Sequence, residues 1–212
     1  MRKSEIIILG IIILSFIIGI YFYPQMPDRV VSHWNVQGEP NDYMSRFWGV
    51  FLMPIVSFVL LFLFILTPKI DPLKENVEKF RKHFDNFIVL IITFFFYIYL
   101  LTIAWNVGLK FNMSRMIVPA MGLLFYYIGV LLTNTKRNWF IGIKTPWTLS
   151  SDKVWEETHR VGGKLFKFTG IIAVLGLFCP KGLLWIVVLP VILVTIFTFI
   201  YSYFLYKKDL KN

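Results

Sequence analysis

RNWFIGIKTPWTLSSDKVWEETHRVGGKLFK, residues 137–167, is the longest hydrophilic interval in a chain otherwise built of apolar runs, and the rest of the molecule is arranged around it. Ser150 can cap a helix, because its hydroxyl oxygen can accept a free backbone N–H of the first turn, and Asp152 suits the positive end of the helix dipole. The pattern predicts helix from about Ser151. At about 100° per residue, Val154, Trp155, Thr158, Val161, Gly162, Leu165 and Phe166 fall on one side, and Lys153, Glu156, Glu157, Arg160, Lys164 and Lys167 on the other. Such segregation predicts an amphipathic helix lying along a membrane interface before turning into it, with Gly162-Gly163 as the bend. Ahead of it, Thr145-Pro146 cannot sit inside a helix, and Trp139, Phe140, Ile141 and Trp147 would anchor an ordered loop at headgroup depth. On composition alone, the whole interval also reads as a snorkelling linker between two spans.

The 212 residues are 57% hydrophobic and only 16% charged. A soluble chain of this length would be about a quarter charged, so this is an integral membrane protein. The apolar runs are evenly spread, and no soluble block is long enough to build a core of its own, which points to a single membrane domain over residues 1–212. The formal charge of +10 does not mark a nucleic-acid binder. Its Lys and Arg residues cluster at span ends and in two loops, rather than along a phosphate-tracking groove. The one cysteine, Cys179, can form no internal disulfide.

The pattern predicts an all-α polytopic fold with six spans, near residues 6–23, 47–66, 87–106, 116–133, 164–178 and 183–206. Phe22 and Tyr23 end the first run where a cleavable signal would need small residues, so it reads as a retained span. The fifth run offers only about 15 residues, roughly 22 Å of helix against about 30 Å of hydrocarbon, a shortfall left to snorkelling by Lys164 and Lys167. The 24–46 loop carries Pro and Gly turn signals and reads as extended pieces and turns. The 68–86 loop places Leu73, Val77, Phe80 and Phe84 at helical spacing behind Asp71-Pro72, a cap pair, and predicts a second interfacial helix. With six spans, 17 of the 22 Lys and Arg fall on the side shared by the termini, the 68–86 loop and the 134–167 motif loop. Those segments are therefore expected in the cytoplasm, with the 24–46 loop and Cys179 outside.

Residues 137–150 and 154–166, with Asn138, Gly142, Lys144, Thr145, Pro146, Trp147, Trp155, Thr158, His159 and Gly163 at matching positions, closely resemble the SdpI-type membrane proteins. That family comprises immunity proteins against a secreted toxin peptide. His33-Trp34-Asn35, followed by Gly38 and Pro40, resembles the extracytoplasmic module of uncharacterised function that often precedes the SdpI-type region. Two positions depart from the patterns. Asn41-Asp42 stands where Asp-Gly would make a tight turn, and Lys144 stands where Arg is more common, which keeps the charge but not bidentate pairing. The resemblance implies protection against a membrane-active peptide toxin, a signalling arm that holds a cytosolic transcriptional repressor at the membrane, and no cofactor.

Chemistry beyond this is sparse. His33 is expected across the membrane from His83 and His159, and no segment supplies the convergent ligands a zinc site needs. Ser150-x-x-Lys153 has the spacing of a Ser nucleophile with a Lys base, but a cap and a charged helix face explain both residues. No span carries the Asp, Glu, His or Arg that ion-coupled carriers place inside their bundles. Two alternatives to immunity remain from other classes: a transporter or permeability regulator for a lipid or peptide, and an inner-leaflet enzyme using His159 with Glu156 or Glu157. The segregated face favours a docking surface over a catalytic centre.

Overall fold

A computed structural model describes residues 2–178, 182 and 185–211. Its long helices are α1 (Lys3–Phe22), α2 (Arg46–Ile70), α4 (Arg81–Asn106), α5 (Met113–Asn134), α7 (Asp152–Leu175) and α8 (Trp185–Asp209). All six are long and apolar enough to cross a membrane, so the chain is an all-α polytopic membrane protein. Between α1 and α2 stand the antiparallel strands β1 (Arg29–Trp34) and β2 (Pro40–Ser45); α3 (Lys74–Lys79) precedes α4, and α6 (Pro146–Ser150) precedes α7.

The helices form two groups. In the first, α1, α2 and α4 pack together and carry the hairpin. On α1, the buried positions Ile8, Ile12, Ser15 and Gly19 form one stripe, while Ile6, Ile13, Ile17 and Ile20 face outward. Outward apolar side chains are what a lipid-covered surface requires. Gly19 lies under Tyr99, whose buried hydroxyl donates to the Ser15 carbonyl at 3.1 Å.

In the second group, α7 is held between α5 and α8. The α5–α7 seam is made by glycines seven residues apart on both helices: Gly122 faces Gly170 and Gly129 faces Gly163. A methyl on Gly170 would come within 2.5 Å of the Gly122 carbonyl oxygen, so the two backbones touch. Small residues at heptad spacing allow this approach, and with no hydrophobic drive between helices in lipid, close packing is what holds the pair.

The two groups meet along α4 and α5 and are clasped at both ends. At the hairpin end, the clasp is Asn112, the cap of α5, which donates to the Gln37 carbonyl at 2.6 Å. Within the first group, the Asn106 side chain on α4 pairs with β1 like a strand residue, accepting the Val31 N–H at 2.9 Å and donating to the Val31 carbonyl at 3.1 Å. At the opposite end, residues 71–76 are bonded to residues 137–139.

Several expectations are corrected. The helix cap is Ser151, whose hydroxyl accepts the Val154 N–H at 3.3 Å, whereas Ser150 donates to Pro146 inside α6. No separate interfacial helix precedes the fifth span. The amphipathic stretch and the span are one continuous helix, and the apolar stripe faces α5, α8 and the motif loop instead of lipid headgroups. The expected shortfall disappears with it, since the span is 27 residues long when its last turn is included. Gly162-Gly163 is no bend, because Gly163 belongs to the seam and Gly162 lies against Ile143 and Thr198. The 68–86 loop is shorter than read: α2 runs on to Ile70 and α4 starts at Arg81. Its six-residue α3 turns Val77, with Phe80 and Phe84 beyond it, into the core with Ile8, Ile12 and Leu61, away from an interface. In keeping with its departure from Asp-Gly, Asn41-Asp42 makes no turn. It lies in β2, and the chain reverses at residues 35–38, where Gly38 takes a φ of 81°. Cys179 lies outside the described residues.

Candidate functional site

The motif loop is held by side chains that replace backbone pairing. Asn138, 0% exposed, donates from Nδ2 to the Lys136 and Ile141 carbonyls, each at 2.8 Å. Its Oδ1 accepts the Phe140 and Ile141 N–H groups at 3.0 and 2.6 Å, so every bonding position of the amide is used. Gly142 follows with a φ of 128°, a conformation that disfavours a side chain, and the space its Cβ would need is taken by the His159 ring.

His159 is 1% exposed and bonded at both nitrogens. Nε2 accepts the Ile143 N–H at 2.8 Å, which places the proton on Nδ1, where it is donated to the Trp155 carbonyl at 2.8 Å. The ring stacks on Trp155 with centroids 4.0 Å apart. Trp155 is itself fully buried and donates from its indole N–H to the Thr135 carbonyl at 3.2 Å. Glu156 pairs with Lys136, and Glu157 with Arg160, both on the outer face of α7. His159 therefore stands apart from the two glutamates that an acid–base mechanism would pair with it.

Thr145 and Pro146 open α6. Thr145 accepts the Thr148 N–H at 3.1 Å and Thr148 accepts the Thr145 N–H at 2.9 Å, a reciprocal capping box with Pro in the first turn. The Thr145 hydroxyl also meets Ser202 of α8 at 3.0 Å. Trp147 packs on Phe199 and Tyr203 of α8. Lys144 points outward, and Thr158 is buried with its hydroxyl unpartnered. Of the four residues expected at headgroup depth, Trp139 and Phe140 are exposed at 52% and 42%, whereas Ile141 and Trp147 are tucked inward.

At the other end of the bundle, Asn35 closes the turn by accepting the Glu39 N–H at 2.9 Å, and His33 bonds Asn41 at 2.6 Å. Trp34 meets Trp105 edge to face, with its indole nitrogen buried and unpartnered. Lys110 lies 3.3 Å over the Trp105 ring, where burial pushes its ammonium below the usual lysine range. The histidine-tryptophan-asparagine loop and the 138–163 motif are thus at opposite ends and share no site. Among the described residues, no group of three or more His, Cys, Asp or Glu could hold a metal ion.

Sequence reasoning missed the residues that clamp the loop from outside. Asp71, 2% exposed, accepts the Trp139 N–H at 3.0 Å and the Leu73 N–H at 2.7 Å. Asn76 donates to the Arg137 carbonyl at 2.9 Å, while Arg137 reaches the Leu149 carbonyl at 2.8 Å and Asp152 at 2.7 Å. Asp209 of α8 takes the Ser151 hydroxyl at 2.8 Å and Lys153 at 2.9 Å. Only the glycine seam had a legible signal, the shared seven-residue spacing of Gly122/Gly129 and Gly163/Gly170.

Comparison with known proteins agrees with this division of the chain. Residues 134–202 match the SdpI/YfhL protein family and residues 10–58 match a domain of unknown function, DUF1648. The chain is 27% identical over 207 residues to the immunity protein SdpI of Bacillus subtilis (strain 168), covering 97% of each chain. No solved structure matches. The SdpI/YfhL match thus runs from the end of α5 through the motif loop and α7 into α8, the DUF1648 match takes in the hairpin and its flanking helices, and this integral membrane protein is similar along nearly its whole length to an SdpI immunity protein.

Proposed function

We propose that this protein confers immunity on the membrane that contains it, protecting the cell against a membrane-active peptide toxin. The observation that carries the reading is the likeness to an immunity protein along 97% of both chains, which spans both ends of the bundle. The mode of action we propose is binding without turnover. His159, Asn138 and Thr145 are consumed in ordering the loop, and what they present outward is Trp139, Phe140, Lys144 and the charged face of α7. In this reading the matching residues Asn138, Gly142, Thr145, Trp155, Thr158, His159 and Gly163 build the docking surface, and Lys144, Pro146 and Trp147 contribute to it. His33, Trp34, Asn35 and Gly38 shape a second surface outside. The chain works as one domain, with both termini and the motif end in the cytoplasm, where the distribution of Lys and Arg favours them. The motif end is then placed to hold a cytosolic repressor at the membrane.

The test is survival of toxin-sensitive cells expressing the protein during challenge with a membrane-active peptide. Protection is expected for the wild type and lost when Lys153, Glu156, Arg160 and Lys164 are reversed together at matched membrane levels. Equal death with and without the wild-type protein refutes immunity; turnover of the peptide by purified protein refutes binding alone. Orientation is read by impermeant thiol labelling of Val36→Cys in a Cys179→Ser background, which should react in intact cells.

A further inference from the structure

The two helix groups touch along α4 and α5, and on one side of that contact they leave an open groove of about 520 Å³. Its walls are Leu90 and Phe94 of α4 and Met116 and Leu123 of α5, and the short side chains of Pro119 and Ala120 leave the space unfilled. The polar groups of the lining are almost all used. The Thr93 hydroxyl donates to the Val89 carbonyl at 2.8 Å and the Tyr97 hydroxyl to the Met116 carbonyl at 3.1 Å.

Arg115 is the exception. It is exposed at the hairpin-end mouth of the groove, and among the described residues no carboxylate pairs with it. It is also in the first turn of α5, which contains no acidic residue, so a cation stands at the positive end of the dipole. That placement costs helix stability unless an anion joins it. From Arg115 to Leu124 the groove descends about 13 Å at 1.5 Å per residue, close to half of an approximately 30 Å hydrocarbon layer.

From these features we infer that the groove holds one anionic phospholipid of the hairpin-side leaflet, its phosphate on Arg115 and one acyl chain along Phe94, Ala120 and Leu123. Arg115, the one cation among the described residues that line the groove, and the apolar interior match an amphiphile with an anionic head. The bound lipid would cover the seam between the two halves of the bundle, independently of whether the protein confers immunity.

The experiment is native mass spectrometry of the purified full chain, released from detergent containing either phosphatidylglycerol or phosphatidylcholine. One phosphatidylglycerol should be retained about tenfold over phosphatidylcholine, because both phosphates can meet Arg115 but only phosphatidylcholine brings a second cation to it, a difference on the order of 1.4 kcal/mol. Arg115→Gln should abolish that preference, and Ala120→Leu, which fills the groove, should lower retention of both lipids. Undiminished phosphatidylglycerol retention by Arg115→Gln overturns the headgroup assignment. Undiminished retention by Ala120→Leu overturns the chain assignment. Displacement of the lipid by inorganic phosphate alone would show a free-anion site, and a co-purified peptide in its place would show a peptide site; either overturns the inference.

Discussion

Gly129 of α5 and Gly163 of α7 lie backbone against backbone: a Cβ on Gly163 would be 2.7 Å from the Gly129 carbonyl oxygen and 2.5 Å from the Thr133 methyl. Neither neighbour can retreat without moving a helix. Gly163→Ala should therefore lower stability by about 1–3 kcal/mol, the usual range for overpacking. Gly10→Ala, where nothing lies within 4 Å, is the matched control inside a helix and should leave the midpoint unchanged or slightly raised. Thermal unfolding in detergent reads both; equal midpoints would mean that the seam is looser than the contact distances require.

His159→Leu should destabilise the motif loop, because it leaves the buried Ile143 N–H without an acceptor, at a cost of about 1–3 kcal/mol. The docking reading by itself expects His159→Gln to be tolerated. The buried ring contacts point the other way, since Gln can supply an acceptor but not the stack on Trp155. The expected order of stability is wild type, Gln, then Leu. Protection that disappears with His159→Gln while stability is unchanged would return the enzyme alternative.

Trp155→Ala should cost roughly 3–5 kcal/mol, as expected for truncating a fully buried Trp that also loses its bond to Thr135. Glu157→Ala loses only an exposed pair with Arg160 and should change stability by less than about 1 kcal/mol. Protease access to residues 136–153 separates them, and indistinguishable cleavage would argue against a docked α7.

Asp71→Ala should free the motif loop without unfolding the bundle, since the carboxylate holds the Trp139 N–H from a different helical group. Tryptic cleavage at Lys136, Arg137 or Lys144 should accelerate by about tenfold, the factor for one lost charge-assisted bond. Asn76→Ala removes a neutral bond to the same loop and should have a smaller effect. Wild-type cleavage rates in both variants would show that the loop is held from α7 alone.

The sequence by itself determined the number of spans, the two turn-rich ends and the apolar stripe of α7 through Val154, Trp155, Thr158 and Gly162, though not the burial of His159 and Gly163 beside it. Each of these rests on local composition or on a period of 3.6 residues, and both are written along the chain. Tertiary structure alone decided what the inward face meets. Val154, Trp155 and Thr158 carry the same amphipathic pattern whether lipid or protein covers them, and only the packing of α5, α8 and the 138–143 loop against α7 separates the two cases. The same holds for Asp71 and Asn106. Each reads locally as a polar residue at a helix end, and each is buried or bonded because a segment distant in sequence brings it a backbone partner. Gly163 lies between these cases: its spacing from Gly170 is visible in the chain, but its meaning needed Gly122 and Gly129 on the facing helix.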